Sequence, residues 1–152
     1  MSAADRPGMF IDALRRQLPP PPAALTLGFE VVEVDPAGGS IVVAFAAGPS
    51  FTNPFGEVLG GFLAAMLYDT VGPAVLATLG PGEFILTHDL DTIFLRPTPA
   101  GRLVGRGRVV GRDGDLLAVT AELESADGEL LATATANVQV VQRHAPPAIS
   151  GS

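Results

Sequence analysis

The residues best placed to do chemistry are gathered in one stretch, Asn53-Pro54-Phe55-Gly56-Glu57-Val58-Leu59-Gly60-Gly61, which opens the longest weakly charged segment of the chain. Two adjacent glycines at a helix start cost roughly 1 kcal/mol each relative to alanine, so they call for a reason. One reason is catalytic. The first N–H groups of a helix have no partner within it, and with no side chain in the way they can donate to a carbonyl oxygen that gains negative charge during acyl transfer. The other reason is packing, with glycine letting the helix lie close on a sheet. Both stay open at this point. Farther along, Tyr68 and Asp69 supply a phenol and a carboxylate. Pro73 removes the N–H that would bond the carbonyl of Asp69, which predicts a kink there.

The other polar residues make weaker candidates. His88 has the parity of Leu86, Leu90 and Phe94, so it is expected to point to the apolar side as a satisfied core histidine. Asp89 and Asp91 share parity with Thr87, which suits a solvated or interface face. There is no G-x-S-x-G nucleophile motif and no nucleotide-binding fingerprint. The chain has no cysteine, which excludes disulfides, thiolate zinc sites and a cysteine nucleophile together. Two histidines, His88 and His144, cannot build a histidine-rich metal site.

The elements that must position these groups can be read from periodicity. Met9, Phe10, Leu14 and Leu18 predict an amphipathic helix over 5–18, ended by the run Pro19 to Pro22. β-Branched and aromatic residues predict strands over 25–35 and 40–47, with Asp35-Pro36-Ala37-Gly38-Gly39 as the turn between them. The segment VLGGFLAAMLYDTVGPAVLATLG does not alternate and is rich in Ala, Leu and Met. It predicts a helix apolar on nearly all sides, which something must wrap. The wrapping is expected from strands at 84–96, 102–112, 115–125 and 129–142, with Asp113-Gly114 and Asp127-Gly128 as hairpin turns. The fold class is therefore α+β, a curved antiparallel sheet round one long central helix. Residues 1–22 are expected to be an N-terminal helix and proline-rich linker, 23–143 the domain, and 144–152 a flexible tail.

Composition narrows the function classes. The 152 residues are 47% hydrophobic and only 16% charged, which suits one domain with part of its surface facing another subunit. Net charge is −7 and the nine basic residues are all arginine, so the footprint of a nucleic-acid binder is missing. Asp69, Gly72 and Pro73 interrupt the apolar stretch from Val58 to Gly82, which suits a buried helix better than a membrane span. A cytoplasmic location is the expectation.

The run N-x-x-G-x-x-x-G-G-F-L-A-A-M-L-x-D-T, followed by TxDLxTIFLRPTPAG, resembles the hotdog-fold acyl-CoA thioesterases of the PaaI-like, phenylacetate-degradation type, over about Leu25 to Val141. The resemblance implies a hotdog fold, a homodimer that can pair into a dimer of dimers, and hydrolysis of an acyl- or aryl-acyl-CoA thioester. It implies no metal and no cofactor beyond the coenzyme A of the substrate. By position Asn53 matches the loop asparagine lining the reaction centre, Gly60 the glycine whose N–H polarises the thioester carbonyl, and Thr87 a residue that helps hold the water. Leu59 stands where the family commonly has His or Gln. The family's catalytic acid lies eight residues after the first glycine, which is Tyr68 here, and Asp69 follows, turned about 100° round the helix. Some relatives carry two adjacent aspartates, and Asp69 matches the second.

These matches assign Asp69 as general base or nucleophile, with Gly60, Asn53 and Thr87 as its catalytic companions. Tyr68, Gly61, Leu59 and Glu57 fall to substrate binding, with Glu57 also a substitute acid. Arg102, Arg106, Arg108 and Arg112 share one parity, as a row meeting coenzyme A phosphates or as a surface row balancing acids. Gly60 and Asp69 lie about 13.5 Å apart along one helix, so a working site needs a second chain. The alternatives are a non-catalytic acyl-CoA or aromatic-ligand binder and a hotdog dehydratase or hydratase.

Overall fold

The computed structural model describes residues 6–143. Two short helices, α1 (Met9–Arg15) and α2 (Pro22–Thr26), precede β1 (Glu30–Asp35) and β2 (Ser40–Ala47). A single 3-10 turn (Pro49–Phe51) leads to the long helix α3 (Gly60–Leu76), and four strands follow: β3 (Glu83–Phe94), β4 (Gly101–Asp113), β5 (Leu116–Ser125) and β6 (Leu130–Gln142). All pairings are antiparallel, in the order β1-β2-β4-β5-β6-β3. The consecutive strands β2 and β3 thus lie with three other strands between them, and α3 is the connection that crosses the sheet from one to the other. This is the α+β arrangement expected of a hotdog.

Packing of α3 decides the rest. Leu63, Met66, Leu67, Val71, Ala74 and Val75 are buried in one core with Val43, Phe45, Val119, Leu123 and Val138. The helix sits lowest over β4, where a Cβ on Gly107 would lie 2.8 Å from the Thr70 carbonyl oxygen and 3.1 Å from the Ala74 methyl. A Cβ on Gly105 would press onto the Thr70 hydroxyl. Alternate glycines therefore form a trough on the inner face of β4. Thr70, fully buried in it, donates its hydroxyl to the Met66 carbonyl at 2.8 Å and leaves no polar atom unpaired. The wrapping is incomplete, contrary to expectation: Gly61 and Tyr68 are exposed, and Ala64, Ala65 and Asp69 only half-buried. The helix runs unbroken through Pro73.

Strands β4 to β6 follow the predicted alternation, and the Asp-Gly turns place Gly114 and Gly128 at positive φ, where glycine carries no Cβ penalty. Three expectations need correction. The strand expected over 25–35 begins only at Glu30. Pro22 occupies the first turn of α2, where its missing N–H is harmless, and Gly28, at φ +66°, ends that turn. The helix expected over 5–18 spans Met9–Arg15, with Gln17 at φ +53° beyond its end; residues 1–5 and the tail 144–152 lie outside the described residues.

The third correction concerns β3. Its pairing with β6 slips between Thr87 and Asp89, so His88 is an extra residue in a bulge and parity reverses across it. Thr87 stands opposite buried Val138, on the helix side of the sheet, whereas Asp89 stands opposite exposed Asn137. His88 is exposed, with Nε2 2.9 Å from the Gln139 side-chain oxygen, and is no core histidine.

The trough predicts its own sensitivity. Gly107→Ala should lower stability in urea unfolding by about 1–3 kcal/mol, the usual effect of overpacking. Gly111→Ala on the same strand, whose Cβ would meet only the Ala118 methyl at 3.7 Å, should be neutral or slightly stabilising.

Candidate active site

The start of α3 is held from three sides. Leu59 caps it in extended conformation (φ −59°, ψ 139°) with no side-chain hydrogen bond, and its carbonyl accepts the N–H groups of Phe62 (3.0 Å) and Leu63 (3.2 Å). The N–H groups of Gly60 and Gly61 donate to no atom among the described residues. The preceding loop is tied by Asn53, whose Oδ1 accepts the N–H groups of Phe55 (2.9 Å) and Glu57 (3.0 Å). Val58 N–H donates to the Thr98 carbonyl (2.7 Å) and Leu59 N–H to that of Phe51 (2.9 Å), while the Phe51 and Phe62 rings stack at 4.1 Å. Two free donors thus project from a backbone with little freedom to move.

The two glycines answer differently the question of why they are there. A Cβ on Gly60 would meet the Phe94 ring at 3.2 Å, so packing explains part of that glycine. At Gly61 a Cβ would meet nothing within 4 Å. Packing within the chain gives no account of Gly61, and close approach by another molecule does.

The chain divides the candidate residues between two clefts. Asn53, Glu57, Leu59 and Gly60 line one of about 400 Å³, with Phe94 and Leu95 opposite. Gly61, Tyr68 and Asp69 line another of about 450 Å³, flanked by Leu90 of β3, by Ala23 of α2 and by Leu27, which caps that helix. Thr87 lines neither, but the bulge puts it on the face that α3 covers. Leu27 was missed as a site residue because it lies in the segment 25–35 that reads as strand, and Ala23 because it falls between the proline run and that segment; the one signal for a turn of helix was Pro22 followed by two alanines.

Asp69 is the perturbed acid of the site. Burial against apolar neighbours pushes its carboxyl up to about 6, with no basic group offsetting the desolvation. Tyr68 beside it is half-exposed. Asp89 is the contrast: accepting hydrogen bonds from the Asn137 side chain and N–H (each 2.9 Å) holds its carboxyl below the usual range.

Arg102, Arg106 and Arg108 lie on the outer face of the sheet, but the expected row of four is broken: the pairing of β4 with β5 slips between Val109 and Gly111, parity reverses, and Arg112 stands opposite buried Leu117. Arg102 pairs with Glu30 (3.3 Å) and Arg106 with Glu124 (3.2 Å), and Arg112 donates to the Gly114 carbonyl (2.9 Å). Arg106 and Arg108 share a concavity of about 570 Å³ with three acids, Glu33, Asp35 and Glu122, whose carboxylates disfavour phosphate. Although wider than either cleft on α3, this concavity contains neither the perturbed acid nor the free N–H groups. Among the described residues no group of three or more His, Asp or Glu could hold a metal ion, and no helix is long and apolar enough to cross a membrane.

Residues 55–132 match the model of the thioesterase superfamily. Among solved structures, a phenylacetic acid degradation-related protein from Ralstonia eutropha JMP134 is 43% identical, with a TM-score of 0.81 over 86% of this chain and 98% of that one. The PaaI protein of the E. coli phenylacetic acid degradation operon is 17% identical, with a TM-score of 0.77 over 88% and 94%. A thioesterase from Haemophilus influenzae is 18% identical, with a TM-score of 0.72 over 79% and 82%. No curated protein is significantly similar to the chain.

The raised Asp69 carboxyl predicts a pH-dependent effect on stability. Because its folded value lies above the ordinary 3.8, the folded state holds the proton more tightly and loses stability as pH rises from about 4 to about 6. Asp69→Asn removes that desolvated charge, so it should raise the melting temperature at pH 8, and the gain should shrink towards pH 4. An equal shift at both pH values would show that the carboxyl is not perturbed.

Proposed function

Because the chain belongs to the thioesterase superfamily, we propose that it hydrolyses an acyl-CoA thioester at sites shared between two subunits of a homodimer. The observation that carries this is the placing of the free N–H groups and of Asp69 on one helix with two turns or more between them: Gly60 opens on a different cleft from Asp69, and Gly61, which shares the Asp69 cleft, lies eight residues before it. Along a helix they are about 12–13.5 Å apart, too far to meet on one thioester carbon. A two-fold axis that sets two α3 helices antiparallel would bring the donors of one subunit to the acid of the other and create two equivalent sites. The edge of the sheet supports such pairing. β3 has no neighbour on its outer side, and Leu86, Ile93 and Phe94 on it are exposed.

In the proposed reaction Asp69, ionised above about pH 6, takes a proton from water as the water oxygen bonds the thioester carbon. The negative charge that develops on the carbonyl oxygen is received by Gly60 N–H of the partner subunit, with Gly61 N–H the next donor. The C–S bond then breaks, its electron pair leaves with sulfur, and Asp69 returns the proton to the coenzyme A thiolate. The products are the free acid and the free thiol. Thr87, on the helix side of β3, would help hold the water; Asn53, which lines the first cleft, shapes the donor loop through Oδ1. Coenzyme A is substrate here, and no resident cofactor takes part.

One observation favours a second reading, an acyl-CoA binder without turnover. Tyr68, a phenol ordinarily neutral at pH 7, stands where the resembling family has its acid. An inert parent that gains hydrolysis on Tyr68→Asp would establish that reading.

Under the hydrolase reading Asp69→Asn loses about 10²- to 10⁴-fold in turnover while still binding coenzyme A, as expected for loss of a general base. Gly60→Pro removes one donor and should lose about 10²- to 10³-fold, and Gly60→Ala, which brings the same Cβ to the Phe94 ring but keeps the N–H, separates that loss from the packing effect. Proline is tolerated at the first helical position, and Leu59 already has the extended backbone that a residue before proline needs. Release of free thiol reads every variant. Light scattering on the active protein should give a dimer or a tetramer; an active monomer would end the shared-site reading.

A further inference from the structure

The cleft at Asp69 is mainly apolar, its polar groups being that carboxylate, the Tyr68 hydroxyl and the Gly61 N–H, and its walls differ in character. On α3 the lining residues Gly61, Ala64 and Ala65 are too small to fill it, and Tyr68 and Leu90 flank it. The remaining wall is α2. This short helix is fixed on its inner side: Ala24 and Leu27 are buried, the Leu27 carbonyl accepts Ala46 N–H of β2 at 3.0 Å, and Phe29 N–H donates to the Ala24 carbonyl at 2.9 Å. Gly28, at φ +66°, lies so close to β2 that a Cβ would sit 2.7 Å from the Ala46 methyl. Ala23, exposed on the outer side of α2, is thereby held at the rim of the cleft by a rigid support.

A mainly apolar space of about 450 Å³ falls within the range of small-molecule sites. It therefore suits the body of an acyl group and not the phosphates of coenzyme A. Resting on the hydrolase reading above, we propose that α2 is the specificity wall for the acyl group. Leu27 closes the floor, Ala23 sets the free width beside Asp69, and alanine at that position admits acyl groups with an aryl-sized apolar body.

The test substitutes the exposed rim residue, which leaves the core untouched. Ala23→Phe fills the width, and Ala23→Ser keeps it. Acetyl-CoA and benzoyl-CoA report turnover, and the non-hydrolysable thioethers S-acetonyl-CoA and S-phenacyl-CoA report binding by calorimetry whether or not the thioester is cleaved. Ala23→Phe should lower kcat/KM for benzoyl-CoA and weaken S-phenacyl-CoA at least tenfold, with acetyl-CoA and S-acetonyl-CoA changed less than twofold and Ala23→Ser changing neither. Equal effects on the small and bulky ligands, no effect on either, or no binding of S-phenacyl-CoA to the parent would overturn the wall. A change of molecular mass on Ala23→Phe would overturn it too, by showing that the cleft seats a second copy of the chain. A parent that cleaves neither ester refutes the hydrolase reading separately, and the thioethers then still decide the role of α2.

Discussion

The close approach of α3 to β4 is the constraint on which the rest of the molecule depends. Thr70 lies in the trough at Gly105 and Gly107, and a helix seated there has no rotational freedom, because any turn would drive side chains into backbone. Each residue is displaced by about 100° from the last. With Thr70 directed into the sheet, Asp69 faces sideways along the sheet surface and Tyr68 faces farther round, away from it. Half-burial of Asp69 and exposure of Tyr68 follow from that rotation. The perturbed carboxyl is thus a consequence of packing one residue away, since the same seat that buries Thr70 holds Asp69 against apolar neighbours.

The first turn of α3 is positioned by different forces. Backbone hydrogen bonds from Val58 to Thr98 and from Leu59 to Phe51, together with the turn closed by Asn53, deliver the chain to the helix start in one conformation. Two N–H groups are left over by helix geometry itself. Rigidity matters because donors that need not reorganise stabilise a developing charge more effectively than mobile ones. The acid and the donors share the same rigid rod, so their separation within one chain is as fixed as their orientation. A reaction needing both on one carbon therefore depends on how two chains meet.

The outer face of the sheet plays another part. Arg102 and Arg106 there form ion pairs with Glu30 and Glu124, interactions worth little individually and screened by salt. Glu33, Asp35 and Glu122 stand among the arginines there, so that face is suited to solvation and not to holding phosphates. The chemistry-bearing groups all lie on the helix side or at the ends of α3.

Local pattern was sufficient wherever structure depends on neighbours along the chain. Alternation in β6, the Asp-Gly turns and the long non-alternating segment determined those elements, because period and turn chemistry are properties of consecutive residues. The paired glycines and the acid downstream were legible for the same reason. The bulge at His88 was not: an inserted residue reverses parity only because β6 fails to match it, so the faces of Thr87 and Asp89 were decided by pairing. α2 was also beyond local pattern, since a turn of five residues is too short to be stable by propensity and persists through burial of Ala24 and Leu27. The division of the site into two clefts likewise belongs to the tertiary structure, because Gly60 at the start of α3 and Asp69 near its middle open on different spaces, walled by the loop before the helix in one case and by α2 and β3 in the other.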